Sequence, residues 1–378
     1  MYICLDIGNL TSNFTTGIAN YVYCLLEALL DVDKDNKYKL LGITPLKLHR
    51  FIKNLKFKDY SNVEIKSYQM PSKAFHRVFS LWQSINFPPV EWLTGNIDIF
   101  HSFDWYFPPV KSAKAIATIF DITPLSHPKW HTRGNVKQHT KRLKTIKKNA
   151  DIVTTISKNS KKDIIKYLKI DSEKVFVIYP GVNTNKFHPI KNKYLIEKTL
   201  NKYDLKPGYI LYVGTIEARK NIETLLKSIT YLNNEKGVSK KLVLVGRKGK
   251  SFDKLSFSKN VVWTDYVSDE DLIYLYNVAS CFVYPSLYEG FGLPVLEAMA
   301  CGCPVIASNT SSLPEVVGDS GILINPDDSK MMANAIKQIL ANSQLTRSFI
   351  NKGYQQVKKF TWKNSAIQTL QIYNSINK

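Results

Sequence analysis

The chain of 378 residues lacks any apolar run long enough to cross a bilayer, and its early residues lack the basic, apolar and small-residue layout of a secretory signal. We therefore expect a cytosolic protein. Its five cysteines are an odd number in apolar surroundings, which argues against a disulfide framework and predicts reduced core residues. Cys301 and Cys303 have no second cysteine pair with which to bind zinc.

Arginine is also scarce: only seven of the 52 basic residues are arginine, although the formal net charge is +21. Scattered arginine and the absence of a nucleic-acid-binding module argue against nucleic acid as a partner. The densest basic stretch, residues 127–148, leaves three interpretations open: a solvated helix face, an anionic membrane or lipid-pyrophosphate surface, and nucleic acid. If this stretch meets an anionic membrane, we expect neutral vesicles to bind poorly, because the sequence shows no strong amphipathic apolar face.

Carboxylate pairs suited to a metal and a diphosphate are lacking too. The Asp-x-Asp string Asp31-Val32-Asp33 ends an amphipathic helix in a polar run, whereas such a metal motif would follow a buried strand. We interpret this string as a solvated turn and expect no bound metal.

What the chain does contain is a repeated alternation of apolar strands and helices, which predicts an α/β protein with parallel sheets wound on both faces. A polar, lysine-rich segment at 183–207 separates two such sets and is interpreted as a domain linker. We predict an N-terminal Rossmann-like domain at 1–185, a second Rossmann-like domain at 186–360, and a final helix at 361–378 that crosses back onto the first domain.

The most informative segment is YPSLYEGFGLPVLE at 284–297, which carries Glu289 and Glu297 eight positions apart. It follows an apolar run that is typical of a buried strand, and its glycines allow close approach of backbone to a ligand. Pro294 suits the first turn of a helix, which we predict from about Leu293 to Ala300. Because a helix N-terminus attracts negative charge, the unit favours phosphate binding.

Six segments together resemble the retaining, nucleotide-sugar-dependent glycosyltransferases of family 4. They are GTIEARKN (214–221), LVLVGRKG (242–249), the 284–297 string, EAMACGCPVIASN (297–309), SSLPEVVGDSGIL (311–323) and NPDD (325–328). Weaker similarity extends through the first half. The resemblance implies the GT-B fold, with two Rossmann-like domains facing each other across a cleft, and is strongest to bacterial mannosyltransferases of O-antigen and other surface polysaccharides.

The resemblance implies roles for the second domain. Arg219 and Lys220 would hold the donor pyrophosphate, Glu289 a hydroxyl of the transferred sugar, and Glu297 the ribose hydroxyls. Backbone N–H groups that would face the sugar and phosphate belong to Gly290, Phe291, Gly292 and Leu293. The nucleoside pocket is expected at Gly246 and Arg247 or near Val267.

In the first domain, Gly17 is expected to let its loop approach the phosphate, and Asp121 is expected to act at the reaction centre. Many family members have a histidine directly before this aspartate, but this chain has Phe120 there. Either the subfamily does without that histidine, or His101, at the end of a neighbouring predicted strand, supplies a similar contact. The expected catalytic residues are therefore Glu289, Arg219, Lys220 and Asp121.

The activity implied is retaining hexosyl transfer from a nucleotide sugar, with GDP-mannose preferred and UDP-sugars open, onto a lipid-linked glycan at the inner face of the cytoplasmic membrane. Front-face substitution, without metal or other cofactor, is favoured over a glycosidase-like pair of carboxylates, which must lie about 5 Å apart. A phosphorylase of the same fold would carry a lysine for pyridoxal phosphate, and no such motif is present.

Overall fold

The computed structural model describes residues 1–10, 16–45, 55–70, 75–103, 106–235, 239–249 and 252–377. The chain divides into two compact units, which are described separately below. Unit 1 comprises Met1–Gly181 together with Trp362–Lys378, and unit 2 comprises Val182–Thr361. Each unit contains a parallel sheet with helices between its strands, so the predicted α/β class is confirmed.

Unit 1 contains a seven-stranded parallel sheet in the order β3-β2-β1-β4-β5-β6-β7. Its strands are β1 Tyr2–Asp6, β2 Lys37–Pro45, β3 Val63–Met70, β4 Ile99–Ser102, β5 Lys114–Ile119, β6 Ile152–Thr155 and β7 Val175–Val177. The strand order reverses between β1 and β4, which pair directly. Because crossovers are right-handed, this reversal places helices on both faces and makes a switch point at the carboxyl ends of these strands.

Three helices of unit 1 begin after a residue whose side chain accepts a hydrogen bond from a backbone N–H of the first turn: Thr16, Thr132 and Ser157. They are Gly17–Val32, Phe75–Ile85, Glu91–Thr94, Thr123–Ser126, Arg133–Asn149, Lys158–Asp163 with a π-helical continuation Ile164–Leu168, and Trp362–Ile376. Single 3₁₀ turns occur at Lys56–Asp59, Pro128–Trp130 and Ser172–Lys174.

The final helix, Trp362–Ile376, packs into unit 1 rather than unit 2. Its Ser365 hydroxyl donates to the Tyr179 carbonyl at 2.6 Å, and Trp362 packs edge-on against Tyr21 with ring centroids 5.5 Å apart. The structure therefore ties the end of the chain to the domain in which it begins.

Unit 2 contains a six-stranded parallel sheet in the order β10-β9-β8-β11-β12-β13. Its strands are β8 Ile210–Val213, β9 Leu242–Val245, β10 Val261–Asp265, β11 Cys281–Tyr284, β12 Val305–Ser308 and β13 Gly321–Ile324. The order reverses between β8 and β11, which are hydrogen-bonded neighbours. The four residues of β9, β11 and β12 are all buried, as expected for a sheet covered on both faces.

The helices of unit 2 are Lys193–Lys202, Ile222–Asn233, Asp269–Val278, Leu293–Ala300, Leu313–Val317, Ser329–Ala341 and Ser343–Val357. The first of these lies inside the segment that we interpreted as a linker. Asn192 caps this helix by accepting from the Leu195 N–H at 3.2 Å, and Leu200 is buried. The segment is thus a packed helix of unit 2 with lysines on its exposed side, and the division between units falls at 181/182, four residues before the predicted boundary.

The prediction of a solvated turn at Asp31-Val32-Asp33 is wrong, because the first two residues end the helix Gly17–Val32 and Asp33 is buried. Its carboxylate accepts hydrogen bonds from the Tyr38 hydroxyl and from the Asn36 side chain, the latter at 2.8 Å. These bonds hold the pKa of Asp33 below its usual range, although burial opposes them. Asp33 is therefore a structural cap between the first helix and β2.

No helix within the described ranges combines the length and the apolar character that a membrane crossing requires.

Candidate functional site

The switch point of unit 2 brings two loops together. The loop after β8 leads through the 3₁₀ turn Ala218–Lys220, and the loop after β11 leads to the helix Leu293–Ala300. The Leu287 N–H donates to the Arg219 carbonyl at 2.8 Å, which joins the two loops through their backbones. Side chains from both loops therefore converge at the carboxyl edge of the sheet, where ligands of such sheets bind.

Glu289 is held by both cations predicted for the donor site. Its Oε1 accepts from the Lys220 Nζ at 2.5 Å, and its Oε2 accepts from the Arg219 Nη1 at 3.0 Å. Lys220 also donates to the Tyr284 hydroxyl at 2.6 Å, and Arg219 forms a second ion pair with Glu217 at 3.3 Å. The structure thus brings Arg219, Lys220 and Glu289 into one charge cluster.

Burial is unequal within this cluster. Lys220 is 6% exposed and Glu289 is 7% exposed, whereas the Arg219 side chain is 29% exposed. Burial disfavours the charged form of Glu289, but the attraction of Lys220 and Arg219 outweighs it and lowers its pKa to about 2. Burial lowers the pKa of Lys220, while Glu289 opposes that shift. The buried carboxylate is therefore ionised at neutral pH, and the Arg219 guanidinium is the cation with most access to solvent.

Two serines fix the backbone of the Glu289 loop. The Glu289 N–H donates to the Ser311 hydroxyl at 3.0 Å. The Ser312 hydroxyl lies within hydrogen-bond distance of the carbonyls of Glu289, at 3.0 Å, and Phe291, at 2.6 Å. Since both serines precede the helix Leu313–Val317, that segment positions the predicted glutamate although it carries no charge itself.

Glu297 lies within the helix Leu293–Ala300 and has different partners. Its Oε2 accepts from the Tyr276 hydroxyl at 3.2 Å. Burial raises its pKa to about 7, against the opposing effects of Lys186 and of the Tyr276 hydrogen bond. In the described contacts, Glu297 pairs with Tyr276, whereas Glu289 pairs with Lys220 and Arg219.

Gly246 is required by close packing between loops. Its φ is +144°, and a Cβ there would lie 2.2 Å from the Gly214 carbonyl oxygen. Gly292 likewise has φ +116°, and a Cβ there would lie 2.8 Å from a Leu313 methyl group. These two predicted binding residues therefore have a demonstrable role in bringing the loops of the site together.

The residues predicted for the nucleoside pocket lie at the neighbouring strand ends. Arg247 is exposed and lies over the Tyr266 ring, with 5.1 Å between the guanidinium carbon and the ring centroid. Val267 is buried, so its side chain belongs to the core and only its backbone remains a candidate for ligand contact.

The start of the helix Leu293–Ala300 contains the remaining predicted binding residues of unit 2. Phe291 is buried edge-on against Phe360, with ring centroids 5.5 Å apart. Gly290 directly precedes it, and Leu293 is the first residue of the helix. Phe291 is therefore an anchor for this turn.

In unit 1, Gly17 begins the helix Gly17–Val32 directly after its cap, Thr16. A Cβ at Gly17 would meet no described atom within 4 Å, so local packing does not demand glycine there. The preceding Thr15, which belongs to the same predicted loop, lies outside the described residues.

Asp121 follows β5, as predicted. Its Oδ1 accepts from the Thr123 N–H at 2.9 Å and from the Thr123 hydroxyl at 2.7 Å. His131 lies 3.0 Å from the same hydroxyl, and burial lowers the pKa of nearby His139 to about 4. The sequence reasoning missed these two histidines, although both lie in the basic stretch that drew attention for its charge.

His101 does not supply the contact that we considered for it. Its side chain is 1% exposed, its Nδ1 lies 2.7 Å from the Tyr373 hydroxyl and its Nε2 lies 2.8 Å from the Thr118 hydroxyl. Burial lowers its pKa to about 3. His101 is thus a neutral core residue that joins the final helix to the sheet of unit 1. Phe120, in the position of the family histidine, packs edge-on against Tyr21 at 5.1 Å.

A group of three or more His, Cys, Asp or Glu side chains suited to a metal ion does not occur among the residues that the structure describes.

Two family models match the chain, one for each unit. The model described as "Glycosyltransferase Family 4" matches residues 16–186, and the model described as "Glycosyl transferases group 1" matches residues 196–356. The second range contains the whole charge cluster around Glu289.

Curated relatives include the O-antigen chain mannosyltransferase B of Escherichia coli, which is 35% identical over 283 residues. That alignment covers 73% of this chain and 74% of the relative. The serotype-specific mannosyltransferase WbdA of Escherichia coli is 34% identical over 228 residues, which are 57% of this chain but only 28% of that longer protein.

Among solved structures, sucrose-phosphate synthase from Thermosynechococcus elongatus matches with a TM-score of 0.72. The match covers 100% of this chain and 99% of that one, at 22% identity. At this identity the likeness establishes the fold alone, and it agrees with the two parallel-sheet domains described above.

Proposed function

This chain belongs to the glycosyltransferases that join a family 4 domain to a group 1 domain on the GT-B fold, and on that premise we propose that it transfers mannose from a nucleotide sugar during synthesis of a surface polysaccharide. The mannosyl group is proposed because relatives named as an O-antigen chain mannosyltransferase and a serotype-specific mannosyltransferase align with 73% and 57% of this chain. The observation that carries the proposal is the charge cluster of Arg219, Lys220 and Glu289 at the switch point of unit 2.

The charge of this cluster suits a departing diphosphate. Two cations surround one ionised buried carboxylate, while the second acidic partner, Glu217, is 44% exposed and therefore better screened by water. Two of the three Lys220 N–H groups have protein acceptors, which leaves one for a phosphate oxygen. Preorganised positive charge of this kind stabilises the negative charge that grows on the leaving group.

Glu289 has two roles in this proposal. It keeps both cations in place before the donor binds, and its remaining lone pairs accept a hydroxyl of the transferred sugar. A pKa of about 2 makes it a weak base, which suits hydrogen bonding better than proton abstraction.

We propose a retaining reaction by front-face substitution, in which the donor phosphate helps to deprotonate the acceptor. Support comes from the different partners of the two glutamates: Glu289 pairs with Lys220 and Arg219, whereas Glu297 pairs with Tyr276. A double-displacement pair would place two carboxylates across one bond. Asp121, which follows β5 of unit 1, remains a proposed catalytic residue.

Charge neutralisation by Arg219 and Lys220 also supports a reaction without metal, because these side chains supply the positive charge that a divalent ion would bring. We propose GDP-mannose as donor and a lipid-linked glycan at the inner face of the cytoplasmic membrane as acceptor. A UDP-sugar is the alternative donor, since Arg247 and the backbone near Val267 do not select one base by their chemistry.

The test is incubation of the protein with a panel of GDP- and UDP-sugars, followed by measurement of donor hydrolysis and of the anomeric configuration of the released or transferred sugar. GDP-mannose is expected to be consumed fastest, with retention. Preference for a UDP-sugar would replace the donor assignment, and inversion would refute the mechanism. A lack of turnover with every donor, in the presence of lipid-linked glycan acceptors, would refute the proposal itself.

A further inference from the structure

Five large apolar side chains are exposed within one short segment of unit 1. They are Val78, Leu81, Ile85, Phe87 and Trp92. Leu81, Ile85 and Phe87 are each more than half exposed, and Trp92 is 68% exposed. Clustered exposure of this kind in a soluble fold marks an interaction site, whereas single exposed apolar residues need no explanation.

These five side chains are termed the apolar stripe. Val78, Leu81 and Ile85 follow the i, i+3, i+7 spacing that places residues on one face of the helix Phe75–Ile85. The following turn folds back onto that helix, because Trp82 Nε1 donates to the Pro88 carbonyl at 2.5 Å. The rings of Phe87 and Trp92 then meet edge-on, with centroids 5.0 Å apart.

Other residues of the same helix pack into the core of unit 1. Phe79 is buried in a core cluster with Val90 and Phe100, and Trp82 packs against that cluster. Phe79 also stacks on Tyr106, with ring centroids 4.7 Å apart. Because these core contacts already anchor the helix, the apolar stripe is not needed to hold the helix in the fold.

A row of lysines lies beside the apolar stripe. In the helix Arg133–Asn149, Lys137, Lys141, Lys144 and Lys148 recur at i, i+4, i+7 and i+11, which is one helix face. Lys141 donates to the Ser84 hydroxyl at 2.6 Å, so this row, the lysine stripe, touches the helix that bears the apolar stripe.

Acidic residues are scarce around the two stripes. The helices Phe75–Ile85 and Arg133–Asn149 contain no acidic residue. Glu91, next to Trp92, accepts the backbone N–H groups of Ser112 at 2.8 Å and Lys111 at 2.9 Å. These backbone bonds hold the pKa of Glu91 low despite its partial burial. Glu91 therefore stays ionised, but the two helices that carry the stripes have only basic charged side chains.

We propose that the apolar stripe and the lysine stripe form one surface that inserts into an anionic phospholipid bilayer. Exposed Phe, Trp and Leu side chains enter the boundary between headgroups and acyl chains, while neighbouring lysines pair with anionic headgroups. This proposal adds a membrane-inserting face that the sequence did not reveal, and it does not depend on the identity of the donor.

The first test is flotation of the full-length protein with vesicles of phosphatidylcholine alone or with phosphatidylglycerol. The parent is expected to bind the anionic vesicles more tightly. The variant Lys137→Gln, Lys144→Gln, Lys148→Gln is expected to bind them roughly a hundredfold more weakly, from about fivefold for each lysine near a charged surface. A matched control with the same loss of charge in unit 2, Lys191→Gln, Lys193→Gln, Lys198→Gln, is expected to bind as the parent does.

The second test removes the apolar contribution. The variant Leu81→Ser, Ile85→Ser, Phe87→Ser keeps the lysines and alters only exposed positions, so its thermal unfolding is expected to match the parent. Its binding to anionic vesicles is expected to fall at least tenfold and to vanish in 0.5 M salt, where the parent retains residual binding. Brominated lipids are expected to quench parent tryptophan fluorescence more than that of Trp92→Phe.

Four outcomes would overturn the proposal. Equal binding of the parent to neutral and anionic vesicles would remove the role of the lysine stripe. Parent-like binding of the serine variant, or equal quenching of Trp92→Phe, would show that the apolar stripe does not insert. A dimer of the parent that the serine variant converts to monomer would assign the stripe to a second copy of this chain.

Discussion

Lys220→Ala is the most direct test of the candidate site. Lys220 is the buried partner of Glu289, at 2.5 Å, and also contacts Tyr284. Loss of one charge-stabilising contact in a dry site costs roughly 3–4 kcal/mol of barrier, so turnover is expected to fall at least a hundredfold. Initial rates of sugar release from the donor, at saturating donor, measure this loss.

The same substitution has a predictable cost in stability. Removing one partner of a buried ion pair costs about 3–5 kcal/mol, and the lower end is expected because Arg219 still pairs with Glu289. The pKa of Glu289 lies near 2 in the folded state, below the value for an unfolded chain, so the pairing stabilises the protein above pH 4.5 and this contribution is lost as pH falls towards 2. The difference in unfolding free energy between parent and variant is therefore expected to shrink below pH 4.5.

Two controls separate charge from packing. Lys220→Met keeps most of the side-chain volume and is expected to lose turnover as Lys220→Ala does, but with less damage to stability. Lys227→Ala breaks an exposed ion pair with Glu223, at 2.9 Å, in the adjacent helix, and is expected to change neither turnover nor unfolding measurably. Near-parent turnover in a folded Lys220→Ala protein would refute the site assignment.

Four further outcomes are expected. Glu289→Ala should also depress turnover at least a hundredfold while the fold survives, and parent-like rates with intact thermal unfolding would contradict this. Activity should persist in excess EDTA, so a loss that Mg²⁺ or Mn²⁺ restores would count against the reaction proposed. His101 is neutral in the folded protein, with a pKa of about 3, whereas the unfolded chain takes up a proton there, so the parent should lose about 2 kcal/mol of unfolding free energy between pH 7 and pH 5. The difference in unfolding free energy between the parent and His101→Gln, measured by denaturant titration, should shrink by that amount over this pH range. A constant difference would exclude the effect. Gly246→Ala should destabilise unit 2 by about 2–4 kcal/mol through its positive φ and backbone clash, whereas Gly17→Ala should unfold like the parent; equal melting of the two variants would refute the packing argument.

The sequence predicted the sheet positions well because the strands are short apolar runs bounded by glycine or polar residues. The apolar run predicted to be a buried strand before the glycines of the 284–297 string is β11, Cys281–Tyr284. The pairing of Glu289 with Lys220 could not be read from periodicity, because the two residues meet only through the adjacency of β8 and β11. Strand order is a long-range property that local patterns do not specify.

Composition misled the sequence reasoning in two places, because the composition of a segment does not distinguish the buried face of a helix from its exposed face. The lysine-rich segment 183–207 was interpreted as a linker, yet its helix Lys193–Lys202 buries Leu200 and exposes its lysines. The exposed apolar stripe was missed because Phe79 and Trp82 of the same helix are core residues. Only the solvent exposure of individual side chains separates apolar residues that pack from those that remain uncovered.

Glu289 and Glu297 belong to one sequence motif, but their surroundings give them opposite electrostatic behaviour. Burial favours a raised pKa for both carboxyls. Two nearby cations outweigh this effect for Glu289, whose pKa is lowered to about 2, whereas the pKa of Glu297 is raised to about 7. Glu289 is therefore a permanent anion whose charge organises Lys220 and Arg219. Glu297 changes protonation near neutral pH, and a carboxyl must be ionised to accept two hydroxyl hydrogen bonds at once without donating. Glutamate thus provides a fixed counterion at one end of the motif and a titrating hydrogen-bond acceptor at the other. The neighbours that other strands and helices contribute determine the role of each glutamate.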